Sequence, residues 1–343
     1  MQDLVKLSVL DLAPVLSGSS ARVALRNSID LARHVERLGY CRYWVAEHHN
    51  MPGIASTAPA VLIGQLASAT ETMRVGAGGV MLPNHAPLVV AEQFGMLEAL
   101  HPGRIDLGIG RAPGTDQLTA SALRRTADVS AESFPQDLGE LIAFFHGTFP
   151  DTHPYAGISA VPALGNVPGL WLLGSSGYSA QVAGLLGLPF AFAHHFMPAN
   201  TLPALALYRQ SFRPSVYLDQ PYVIVAVQAV CAETDAEATR LAASSALSFL
   251  HLRQGRPGLL PSPEDALAYP YSETERQAIR HRQVDQVIGS PETVRRGLGD
   301  LLERTSADEL MLVTVVYDHA ARLRSYELVA SLVSPDLRSA APV

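Results

Sequence analysis

Short apolar runs alternate with longer amphipathic stretches along almost all of the 343 residues. Runs rich in β-branched and aromatic residues read as strands, and apolar positions recurring at helical spacing read as helices. The predicted strands cover 7–12, 42–46, 73–81, 104–109, 170–173, 190–193, 222–230 and 309–316. The predicted helices cover 21–38, 58–70, 87–100, 131–145, 178–186, 199–212, 235–250 and 319–332. The breakers agree: Gly39 stops the first helix, and His101-Pro102-Gly103 stops the third.

Strands that alternate with helices pair in parallel through right-handed crossovers. Eight of them close a (β/α)8 TIM barrel, the expected fold, as a single domain over 1–343. An open doubly wound sheet is the alternative, but no GxGxxG opens a first helix, and GIGRAPG near residue 110 has the wrong spacing. Two segments break the rhythm, one after strand four and one after strand seven. Residues 146–169 are rich in proline and glycine and read as a loop. Residues 253–289 are long and polar, with a helical piece expected around 273–287. An insertion after strand seven lies at the mouth of a barrel, where long loops serve as lids; an idle surface excursion is the other reading.

Composition narrows the class. The chain is 48% hydrophobic and 17% charged with net charge −7, which fits a soluble enzyme with a large core. No basic cluster offers a surface to nucleic acid or to an anionic membrane, and no apolar run reaches the length of about 18 residues that a membrane span needs. Cys41 and Cys231 are far apart and in no pair motif, so neither a disulfide framework nor a thiolate zinc site is expected. No signal peptide opens the chain, and a reducing cytoplasm is the expected setting.

Barrel enzymes place their chemistry at the C-terminal ends of the strands. That rule selects Glu47, His48 and His49, then Gly78 to His85, Gly110 and Arg111, Gly174 to Ser179, His194 and His195, and Tyr317 to His319. The histidine pairs are adjacent, so a regular strand turns only one of each inward, and no carboxylate completes a metal site. No metal is expected. GSSGYSA, residues 174–180, follows a strand and opens a helix. Ser175 and Ser176 can cap that helix, and its free N–H groups attract an anion. Arg111, at the neighbouring strand end, adds a fork suited to phosphate. Strand three, VGAGGVMLP, carries three glycines. A planar ligand against bare backbone would explain them, as would a bulge or close packing inside the barrel.

Taken together, VAEHHN, RVGAGGVMLPNHAPLVVAEQFGMLEALHPGRIDLGIGRAPG, LLGSSGYSA and IGSPETVRRGLGDLL resemble the bacterial luciferase-like, flavin-dependent monooxygenases. The likeness spans essentially the whole chain and is densest over residues 40–115. It implies a (β/α)8 barrel, usually a homodimer, that binds reduced FMN delivered by a separate flavin reductase. It implies His48 as the catalytic histidine, with Gly78 and Gly79 at a backbone kink, often a non-proline cis peptide, against the flavin ring. It implies Arg111, Gly174, Ser175, Ser176 and Ser179 around the phosphate. Luciferases carry a reactive cysteine just before the arginine; Gly110 stands there in this chain, which argues against light emission.

The chemistry the likeness implies is activation of O2 as a C4a-hydroperoxyflavin that oxidises a small organic substrate. Three other readings stay open: an oxidoreductase of the same fold using F420, a flavin-binding relative without catalysis, and a metal-dependent barrel hydrolase. Glu47 is expected to orient a neighbour or to pair structurally, His49 to point out of the barrel or into the lid, and Asp318 and His319 to cap the last helix.

Overall fold

Alternate residues of each strand face two different cores. Val9, Tyr43, Val45, Val75 and Leu107 pack outward against helices, while Leu10, Trp44, Trp171, Ile224, Ala226 and Met311 fill a separate inner cluster. Strands buried on both faces in this way belong to a parallel sheet wrapped by helices. The computed structural model describes residues 5–112, 114–123 and 133–333.

The elements run β1 (Lys6–Asp11), α1 (Ala21–Arg37), β2 (Arg42–Val45), α2 (Pro59–Ala69), β3 (Arg74–Met81), α3 (Pro87–Leu100), β4 (Ile105–Gly110), α4 (Gln117–Leu123) and α5 (Phe134–His146). They continue with β5 (Gly169–Gly174), α6 (Gly177–Leu186), β6 (Phe190–Phe192), α7 (Thr201–Ser211), β7 (Val223–Cys231), α8 (Asp235–Arg253), α9 (Pro263–Ala268), α10 (Glu273–Gln283), β8 (Val287–Gly289), α11 (Pro291–Thr305), β9 (Glu309–Val313) and α12 (His319–Val333). Strands β1 to β7 pair in order, β9 joins β7 to β1, and all these pairings are parallel, which closes the barrel.

The expected barrel is therefore the observed one, with four local differences. First, β8 is a short extra strand that pairs only with the C-terminal end of β7, Ala229 to Cys231, beyond the point where β9 turns away. Its residues lie inside the segment read as a lid, so the end of that segment is part of the sheet. Second, α10 stops at Gln283 rather than 287; Ser272 and Glu275 begin it with a capping box. Third, the last barrel strand ends at Val313, not 316. Fourth, α4 and α9 were not expected. The predicted start of the fourth helix, at 131, lies outside the described residues; the helix is observed as α5.

The N-terminal end of the barrel is held by a buried charge network. Asp106 accepts from Arg42 Nη1 at 2.7 Å, Trp44 Nε1 at 3.0 Å, and Arg74 Nε and Nη2 at 2.9 and 2.6 Å. Arg42 also donates to Glu309 at 2.7 Å, and Ser8 and Tyr222 complete that carboxylate. A cavity of about 500 Å3 opens beside it, lined by Arg42, Arg74, Asp106, His146 and Tyr217. Conserving stability rather than chemistry is the usual role of this end of a barrel.

Candidate active site

At the opposite end, the loop after β2 carries Glu47, His48 and His49. Glu47 is wholly buried. Its Oε1 accepts from His49 Nε2 at 2.9 Å and from His85 Nε2 at 2.8 Å, and its Oε2 accepts from the Met81 N–H at 3.0 Å. Burial pushes the Glu47 carboxyl up, but the hydrogen bonds and charge of His85, then His49 and Met81, outweigh it and leave its pKa below the usual value. Glu47 thus orients its neighbours, as expected. His49, expected to point out of the barrel or into the lid, is turned back onto Glu47. His85 is the partner that sequence reading left without a role.

His48 is held differently. Its backbone N–H donates to Ser56 O at 3.1 Å, and its Nδ1 faces the Gly114 carbonyl at 3.4 Å. A carbonyl only accepts, so Nδ1 carries the proton and Nε2 keeps a lone pair. Burial lowers the His48 pKa, which keeps the ring neutral near pH 7. Two further contacts knit the loops after β2 and β4: Thr115 Oγ1 to His49 O at 3.1 Å, and Asn50 Nδ2 to Asp116 Oδ2 at 3.0 Å.

The Gly78–Gly79 peptide bond is cis, and the register of β3 against β4 shifts there between Gly78 and Val80. A Cβ on Gly78 would lie 2.8 Å from Leu10 Cδ1, and one on Gly79 would lie 2.6 Å from Gly108 O. Gly79 is therefore required by the backbone of β4, whether or not a ring lies over it, while a Cβ on Gly78 would meet side chains only.

Arg111 follows β4 and stacks on Tyr178, its Cζ 4.3 Å from the ring centroid. Tyr178 is in the first turn of α6, so Arg111 and the GSSGYSA segment do converge. Ser176 is the N-cap by backbone geometry, but its hydroxyl makes no capping bond, contrary to the expected cap. Among the described residues, no side chain accepts from the first N–H groups of α6. Ser175 O accepts from Asn200 Nδ2 at 3.1 Å, Ser179 is buried, and Gly174 sits so close that a Cβ would come 2.8 Å from Ser179 Cβ.

Across the mouth, His194 Nδ1 meets Thr201 Oγ1 at 2.8 Å, and His195 Nδ1 donates to Ala226 O at 3.1 Å. Burial, with smaller effects from Arg282, His194 and His48, takes His195 down to about 4, so it is neutral. Asp318 Oδ1 caps α12 through the Ala321 N–H at 2.7 Å, while His319 pairs with Asp30 on α1. Among the described residues no group of three or more His, Cys, Asp or Glu could hold a metal ion, and no helix is long and apolar enough to cross a membrane.

The family model described as luciferase-like monooxygenase matches residues 5–309. The chain belongs to the luciferase-like monooxygenase family. It is 49% identical over 324 residues to a luciferase-like monooxygenase of Escherichia coli (strain K12), covering 94% of this chain and 96% of that one. It is 35% identical over 331 residues to the N-acetyl-S-alkylcysteine monooxygenase of Bacillus subtilis (strain 168), covering 96% and 98%. Among solved structures, apo-MsnO8 superposes with a TM-score of 0.88 at 40% identity, covering 96% of this chain and 99% of that one. The likeness noted in the sequence and the family thus agree, and they agree on the barrel.

Proposed function

We propose that this chain is a flavin-dependent monooxygenase that takes reduced FMN from a separate reductase and uses O2 to oxidise a small organic substrate. The carrying observation is the convergence of Arg111, Tyr178 and the uncapped first turn of α6. A guanidinium with no carboxylate partner among the described residues faces a helix start whose N–H groups lack a side-chain acceptor. That is a donor set for a phosphate. Gly174, Ser175, Ser176 and Ser179 would line it, and Gly78 and Gly79 would back the isoalloxazine ring.

Bound reduced FMN would supply the electrons that activate O2. His48 would then serve as a proton acceptor or hydrogen-bond partner, because its Nε2 lone pair is free and its ring is neutral. Glu47 fixes the loops on either side of it. The segment 253–289 would act as a lid that excludes water from the mouth. Val61, Val89, Met96 and Leu100 form an exposed apolar face on α2 and α3, which supports a homodimer. A cytoplasmic location fits the delivery of reduced flavin.

Anaerobic titration with reduced FMN, followed by rapid mixing with O2, tests the reading. Binding, with reoxidation kinetics unlike those of free flavin, supports it; Arg111→Ala should weaken binding, and His48→Ala should alter the kinetics with binding kept. Reoxidation at the rate of free flavin with no binding overturns it, and reduced F420 is then the next cofactor to titrate.

A further inference from the structure

Among the described residues, two arginines are buried deeply, and both are neutralised. Arg42 lies on Asp106 and Glu309, and Arg322 lies on Asp11 at 2.7 Å. A third, Arg282, is half-buried and has no such partner. It comes from α10, none of whose residues is fully buried, and it reaches Gln228 near the C-terminal end of β7. Its Nη2 donates to Gln228 Oε1 at 2.8 Å, its Nη1 lies 3.4 Å from Ser245 O, and its Cζ stacks 4.1 Å over the Phe249 ring. These partners are neutral. Among the described residues no carboxylate lies within ion-pair distance.

Gln228 shows where the guanidinium points. It follows Ile224 and Ala226 at every second position of β7, on the strand face that lines the barrel interior. Its amide is already committed: Nε2 donates to Ser245 Oγ at 2.9 Å, and Oε1 also accepts from Gln286 Nε2 at 2.9 Å. Gln228 therefore aims Arg282 without neutralising it. His195 lies against the same strand, its Nδ1 donating to Ala226 O two positions before Gln228. Burial brings Arg282 down to about 10, so it stays charged at neutral pH.

A guanidinium has five N–H donors, and two are used here. A half-buried charge without a counter-charge carries part of the desolvation cost, and a ligand of opposite charge offsets it. We propose that Arg282 is the substrate anchor, and that the substrate is a small organic acid whose carboxylate docks on the guanidinium while its oxidised end reaches toward His48. This rests on the monooxygenase reading above. It also fits the name of the Bacillus subtilis relative, since an N-acetyl-S-alkylcysteine carries a free carboxylate.

The test uses N-acetyl-S-methylcysteine and its uncharged primary amide as probes. Titration calorimetry is run on the full chain with oxidised FMN and again without flavin. The acid should bind about 10- to 100-fold more tightly than the amide, the range of a charge-assisted contact. Arg282→Gln should erase that preference with FMN affinity unchanged, and Arg282→Lys should restore part of it. Equal binding of acid and amide, no binding of either, or a preference that survives Arg282→Gln overturns the proposal. Failure of FMN to bind, with the acid preference intact in the flavin-free chain, would sink the flavin reading and leave the anchor standing.

Discussion

Glu47 offers a sharp test of how the site is held. Its three hydrogen bonds, at 2.8, 2.9 and 3.0 Å, tie the loop after β2 to the end of β3. Glu47→Ala removes the shared acceptor of two imidazole N–H groups and one backbone N–H. Breaking a buried charged set of this kind costs about 3–5 kcal/mol. At about 2 °C per kcal/mol for a chain of this size, the melting temperature should fall by about 6–10 °C. Glu47→Gln should cost less, about 1–3 kcal/mol. Its amide oxygen can keep the Met81 N–H, and its NH2 can donate to the imidazoles if both switch tautomer so that Nε2 accepts.

The pH dependence follows from the same contacts. The folded pKa of Glu47 lies below the ordinary 4.5, so its contribution is full above that value and is lost as the pH falls through the folded pKa. The stability gap between wild type and Glu47→Ala should therefore be constant from neutral pH down to about 5 and narrow below that. Circular dichroism melts across this range give the gap, and long-range 15N correlation spectra give the histidine tautomers. A Glu47→Ala protein within about 1 kcal/mol of wild type, or a Gln variant as damaged as the Ala variant, would refute the reasoning.

Two further outcomes are expected. Asp106→Asn should lose about 3–5 kcal/mol in chemical denaturation, because an NH2 group would face the N–H donors of Arg42, Arg74 and Trp44, while FMN affinity stays unchanged at the far end of the barrel; retained stability would show that the network is not a structural anchor. Gly79→Ala should lose at least about 2 kcal/mol by the same assay, and Leu173→Ala should not rescue it, because Gly108 O, a backbone atom, still sits 2.6 Å from the new Cβ; full rescue would place the clash on the side chain alone.

The barrel was legible because its strands are buried on both faces and each is followed by a breaker and a long amphipathic stretch. The missed strand, Val287–Gly289, has three residues in a polar setting, too short for any period to register. At the site, Arg111 and Tyr178 could be brought together by knowing that β4 and β5 are neighbours. His85 could not be joined to Glu47, because 38 residues and a helix separate them in sequence and only the fold of the loop after β3 closes the gap. Arg282 was hidden for a different reason. It sits among Arg276, Arg280 and Gln283 on a helix that reads as exposed, and which of these side chains turns toward Gln228 depends on which side α8 packs. The glycines of β3 carried a true signal whose cause lay in close packing with Gly108, Leu173 and Trp44.

The loop after β1 carries a consequence for how the chain is assembled. Val15 and Ser17 exchange backbone hydrogen bonds with Leu260, and Ser17 O accepts from Tyr317 Oη at 2.7 Å across 300 residues of sequence. The outer edge of β1 likewise waits for β9. During synthesis, β1 to β4 can line up one flank of the cradle long before the other exists, but their free edge and the rim above them stay open until the last third of the chain emerges. Contacts this distant slow closure, and an unpaired edge invites pairing with another chain. The ring that encloses the mouth is thus the last part of the molecule to be finished, and the first to open when either terminus is trimmed.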